Sequence, residues 1–168
     1  MSYPERSDVV IRFEDLKRLQ EIAFEDLENF ITRKPEYKPF KKKLLFIGLC
    51  QGAGQHYLDR KHGVNDFDVW FFFKESKKEN FPYRRSKKKE SGLEKFGADP
   101  SGKYKTRVVE LRGREIPTKF IRKGKSDPGT CLELWFNAAE TDTAKHLADE
   151  AVVGLWPDNM IGKILWSP

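Results

Sequence analysis

An α/β fold within a single domain, 1–168, is predicted for this chain on three observations. Leu44 to Leu49 is an unbroken apolar run without helical spacing, as in a buried strand. Phe67 to Phe73 is rich in aromatic residues and too short for a typical helix. Ahead of both, a long stretch repeats its apolar residues at helical spacing. The length of 168 residues is enough for one real core, and 13 Phe with 4 Trp argue against disorder.

Met1 to Val10 is polar and predicted to be extended. The helix follows within 1–35: Phe13, Leu16, Leu19, Ala23, Leu27, Phe30 and Ile31 share one face, and Ile22 and Phe24 widen it. Its expected role is to cover one face of the sheet. Pro35, Pro39 and Lys41 to Lys43 read as a basic linker. The segment 44–73 is then strand, glycine turn, short helix and strand. Gly52 and Gly54 permit a tight turn and close approach of a ligand to the backbone. Gln55 to Lys61 suits two helical turns, with Gly63 as a stop.

Lys74 to Lys103 reads as a long irregular basic loop, a kind of segment that is often functional. From Lys74 to Lys105 there are 11 Lys/Arg against 5 Asp/Glu, which accounts for the whole net charge of +6. Such a local excess suits an anionic partner: a triphosphate, a nucleic acid or an acidic protein. Phe81-Pro82-Tyr83-Arg84-Arg85 combines rings and guanidinium groups that suit a base and a phosphate. A latch packed on the domain is the plainer alternative. Within 104–136, strands are expected at Tyr104 to Leu111, at Arg114 to Ile121 beyond a turn at Gly113, and at Cys131 to Phe136. A helix capped by Thr141 or Asp142 and carrying Leu147, Ala148, Ala151 and Val152 is expected in 141–168. Pro157 ends it, and the apolar tail from Ile161 to Trp166 needs burial by folding back.

Chemistry concentrates at the start of the second strand. Side chains alternate along a strand, so Asp66 and Asp68 share a face while Phe67, Val69, Phe71 and Phe73 take the other. Residues two apart are about 6.5 Å apart at the backbone, so both carboxyl groups can turn toward one divalent ion. Left without a cation they repel, by about 4 kcal/mol at about 4 Å and an effective dielectric near 20. Magnesium, a hard cation held by a few carboxylates and substrate phosphates, relieves that repulsion. Other glycine motifs fit less well. A dinucleotide fingerprint needs a small residue where Tyr57 stands, and a P-loop needs a Gly-Lys-Ser/Thr triplet that is missing here.

The stretch from Gly52 to Val69 resembles the nucleotidyltransferase superfamily typified by DNA polymerase beta. In that family a glycine turn after the first strand is followed by Asp-hydrophobic-Asp/Glu-hydrophobic on the next strand. Gly52-Ala53-Gly54-Gln55 stands in the first place and Asp66-Phe67-Asp68-Val69 in the second. The resemblance implies a mixed, twisted sheet of about four or five strands with helices packed on one face. It implies transfer of a nucleotidyl group from a nucleoside triphosphate to a hydroxyl, with Mg2+ as cofactor and a nucleic acid or protein among the possible acceptors. A third carboxylate stands on a strand beside the first two, and Glu110 is the candidate; Thr118 and Lys119 fall on the following predicted strand. Asp66, Asp68 and Glu110 are the expected catalytic and metal residues. Gly52, Gly54 and Gln55 shape the phosphate turn, and Arg84 and Arg85 screen the triphosphate. The alternative is a catalytically silent module on the same fold that binds a nucleotide, RNA or a protein.

The remaining candidates carry less chemistry. Cys50 and Cys131 are expected as buried thiols. His56 is expected near the phosphate turn, His62 exposed, and His146 without a catalytic role. No apolar run reaches membrane-spanning length, so no membrane partner and a cytoplasmic location are expected. A second copy is expected to supply the missing wall of the cleft, making a homodimer.

Overall fold

The protein is described here by a computed structural model covering residues 11–60, 64, 66–75, 108–123 and 127–168, with the backbone of 88–90. The first helix, α1 (Phe13–Arg33), starts where the backbone N–H of Arg12 donates to Asp15 Oδ2 at 2.8 Å. It stops one residue short of Pro35, where the chain tightens into a 3-10 turn, Pro35–Lys43, rather than a plain linker. Strand β1 (Leu44–Cys50) runs directly into α2 (Gln51–Asp59), and β2 (Asp66–Lys74) follows. Next come β3 (Lys88–Glu90), β4 (Val108–Ile116), α3 (Thr118–Lys123), α4 (Pro128–Ala138) and α5 (Asp142–Leu147). Two last strands, β5 (Val152–Trp156) and β6 (Ile164–Trp166), complete the fold.

The strands form one mixed sheet in the order β3-β4-β2-β1-β5-β6. Among the described residues, only the β2–β4 pairing is parallel. The sheet is therefore α/β and mixed, as expected. Helices cover both of its faces, however, and not one. On the first face α1 lays Leu16, Leu19, Ala23 and Leu27 against Val69, Phe71, Leu111 and Leu155. On the second, Phe120, Leu132, Trp135 and Leu147 of the three later helices pack on Phe46, Phe72 and Val152. The sequence already contains this result. Phe46 and Ile47, or Phe72 and Phe73, are neighbours that point to opposite faces, and all four are buried.

Several expected elements differ. Strand β4 passes straight through Gly113, which pairs with Phe71 in a register unbroken from Asp66↔Val108 to Lys74↔Ile116. Thr118 to Ile121 is helical, because Pro117 cannot continue a ladder. Cys131 to Phe136 is helix, not strand. Asp127 Oδ2 accepts from Thr130 N at 3.0 Å, Pro128 takes the first position, and Cys131, Leu132, Trp135 and Phe136 bury one helical face. The last helix ends at Leu147; Ala151 lies just ahead of β5, and Val152 begins that strand instead. The tail does fold back: β6 pairs with β5, and Trp166 Nε1 donates to Ala148 O at 3.0 Å. Lys88–Glu90 pairs with β4 inside the stretch expected to be loop.

Candidate active site

Strand pairing brings the expected carboxylates together. In the parallel register Asp68 stands opposite Glu110, and in the antiparallel one it stands opposite Cys50, the last residue before α2. Phe67, Val69, Val109 and Leu111 fill the α1 face, so Asp66, Asp68 and Glu110 share the other. Thr118 lies in α3 and does not compete with Glu110 for the position beside Asp68.

The electrostatics of this cluster are unfavourable without a counter-charge. Burial pushes the Asp68 carboxyl up to about 7, and the charge of Glu110 and a hydrogen bond shared with it add to that. Arg112 pulls in the opposite direction, and Asp66 pushes it further up. Glu110 also accepts from Arg112 Nη2 at 3.2 Å. Burial raises the Cys50 thiol, with Asp68 adding to it, so Cys50 is a protonated core group and not a nucleophile. The Asp68–Glu110 pair thus holds a proton near neutral pH in a position where a cation would serve equally well.

A polar chain surrounds the carboxylates. Gln51, at φ 57, makes the sharp turn from β1 into α2. Its Oε1 accepts from Trp70 Nε1 at 3.2 Å, so its amide nitrogen donates to His146 Nε2 at 3.0 Å. The Arg112 guanidinium lies over the Trp70 ring, 5.7 Å from its centroid. Arg114 Nη2 donates to Thr143 Oγ1 at 2.5 Å. Thr143 and His146 are three apart on α5 and hence neighbours on its surface. That helix therefore reaches from β4 to the start of α2.

The glycine turn is built differently from the expectation. Gly52 and Gly54 both lie inside α2, which begins at Gln51. A Cβ on Gly52 would meet nothing within 4 Å, so the first turn of the helix is open to a ligand. A Cβ on Gly54 would lie 2.3 Å from Ala151 O and 2.6 Å from Leu49 O. Gly54 is thus required for packing of α2 on the sheet. Gln55 also turns to structure: its Oε1 accepts from Ala151 N at 2.8 Å and its Nε2 donates to Asp59 at 3.3 Å. His56 is not beside a phosphate turn but 2% exposed in the core, where Nε2 accepts from Ile11 N at 3.3 Å. Arg84, Arg85 and His62 lie outside the described residues.

Sequence reasoning missed Gln51, Trp70, Arg112, Arg114 and Thr143, and gave His146 no role. Three of them carried a signal, since Trp70 continues the Asp66, Asp68 alternation and Arg112 and Arg114 continue that of Glu110. Gln51 and the α5 residues are placed only by tertiary packing.

Among the described residues, no group of three or more His, Cys, Asp or Glu side chains is arranged so that it could hold a metal ion. The donor chemistry nevertheless fits a hard divalent cation: three carboxylates on one face of adjacent strands, two of them tied by a shared hydrogen bond that raises Asp68. Fold and site together define an α/β protein with a carboxylate cluster beside an open helix start. No protein-family model, curated protein or solved structure matches this chain.

Proposed function

We propose that the protein is a small magnesium-dependent nucleotidyltransferase, acting on a nucleoside triphosphate and a hydroxyl acceptor. The observation that carries this reading is the position of Glu110, opposite Asp68 on the neighbouring parallel strand and on the same face as Asp66. Asp66, Asp68 and Glu110 would hold the metal, which when bound activates the attacking hydroxyl and stabilises the leaving pyrophosphate. Within the chain, Asp68, raised by burial and by Glu110, would release its proton where a cation is held. Gly52 leaves open space at the first turn of α2, next to the Cys50–Asp68 pairing, where the nucleoside end of the ligand can lie. The Gln51–Trp70 and Gln51–His146 bonds hold that turn rigid, which orients the reacting groups.

A second reading, a binding module without turnover, draws on the Arg112–Glu110 ion pair, which occupies one of the three carboxylates. Thermal melts with a panel of nucleoside triphosphates and magnesium test both. A ligand at about a hundredfold excess over Kd stabilises the native state by about 2.7 kcal/mol. Magnesium-dependent stabilisation by triphosphates with pyrophosphate release supports the transferase. Stabilisation without release supports the module, and no response to any triphosphate contradicts the transferase and leaves a module for RNA or a protein. A cytoplasmic location and a homodimer belong to the same proposal. Among the described residues, no helix is long and apolar enough to cross a membrane.

A further inference from the structure

Two arginines continue the strand face that carries Glu110. Glu110, Arg112 and Arg114 alternate with Val109 and Leu111, which are buried under α1, so all three point to the carboxylate face. Each step between them is about 6.5 Å. Both arginines are half-buried. A guanidinium has five N–H donors, and the bonds to Glu110 and Thr143 occupy one in each. Arg112 is held over Trp70, and Arg114 is held by α5. Two oriented, partly desolvated guanidiniums on one face are costly to leave beside a neutral surface, and they match phosphate oxygens in geometry and charge.

We propose that Arg112 and Arg114, backed by Thr143 on α5, form the polyphosphate subsite of the carboxylate centre. This rests on the transferase reading and adds to it the direction of the ligand: the phosphates run along β4, from Glu110 toward Arg114. The charge balance makes binding ordered. The carboxylates beside Arg112 act against a free polyphosphate. One divalent cation offsets them, so the anion enters only as its metal complex. Arg114, further from the carboxylates than Arg112, reads the phosphate tail without holding Glu110.

Calorimetry on the full chain with inorganic tripolyphosphate tests this. The expected results are binding in magnesium, none in EDTA, and about tenfold weaker binding for Arg114→Met. Arg114→Lys should recover part of the loss, and the melting temperature without ligand should stay unchanged. Should Arg114→Met fold poorly, Thr143→Val removes only the hydroxyl that orients Arg114, and weaker binding is again expected. Unaltered tripolyphosphate binding in Arg114→Met, with binding lost in Asp68→Asn, overturns the subsite and leaves the carboxylate centre standing. A wild-type protein that binds neither tripolyphosphate nor any nucleoside triphosphate in magnesium overturns the transferase reading itself.

Discussion

Replacing Asp68 by Asn should stabilise the metal-free protein at alkaline pH. The side chain keeps its size, and its amide can donate to Glu110 in place of the shared proton. The carboxyl of Asp68 is raised from 3.8 to about 7. Between those values the native state holds a proton that the unfolded chain has released, so wild-type stability falls as pH rises through this window. The full gap corresponds to an upper bound of about 4 kcal/mol. Asp68 is only part-buried and shares its proton with Glu110, which leaves roughly 2 kcal/mol as the expected gain at pH 8. For a chain of this size that is about 4–8 °C in Tm. Thermal melts in EDTA at about pH 5 and pH 8 provide the assay. At about pH 5, already inside the window, the variant should melt slightly higher than wild type, and its margin should grow at the alkaline end. A variant that melts lower at both would refute the idea that Asp68 is a strained acid awaiting a cation.

Magnesium should raise the wild-type Tm above about pH 7, where the carboxyl pair is ionised, and lose its effect as protons compete at lower pH. The two helix glycines should separate packing from binding. Gly54→Ala forces a Cβ against two carbonyl oxygens and should cost about 1–3 kcal/mol in denaturant melts. Gly52→Ala, in open space, should gain about 0.5–1 kcal/mol while weakening triphosphate binding in calorimetry. His56→Ala leaves the buried Ile11 N–H without its acceptor and should cost about 1–3 kcal/mol with no change in metal affinity. A homodimer would scatter light as twice 19.7 kDa, and exposed Phe13, Leu58 and Ile164 are apolar groups available to it. A strict monomer that turns over a triphosphate alone would remove any need for a second copy.

The carboxylate centre was legible because its cause is local. The period of two in Asp66-Phe67-Asp68-Val69 and in Val109-Glu110-Leu111 assigns each side chain to a face, and pairing of the two strands does the rest. The long first helix was legible for the same reason, in the period of 3.6. What local pattern could not supply was the second half of the fold. Cys131-Leu132-Glu133-Leu134-Trp135-Phe136 suits a strand by composition, and only the Asp127-Pro128 start, which lies outside the run, marks it as a helix. Gly113 suits a turn, yet nine-residue pairing with β2 carries β4 through it. Ala151 and Val152 continue a helical spacing, but Val152 opens strand β5, which pairs with β1 and β6, and Ala151 is buried just ahead of it. These are tertiary effects overriding propensity. They also explain why Thr143 escaped notice and His146 was given no role: their place beside Arg114 and Gln51 exists only once α3 and α4 have carried the chain back over the sheet.

The most direct measurement is the anomalous density of manganese in crystals grown with a non-hydrolysable nucleoside triphosphate. A peak held by Asp66, Asp68 and Glu110, with phosphates reaching toward Arg114, is the predicted result. Manganese bound elsewhere, with Glu110 still paired to Arg112 and the three carboxylates unliganded, would contradict it.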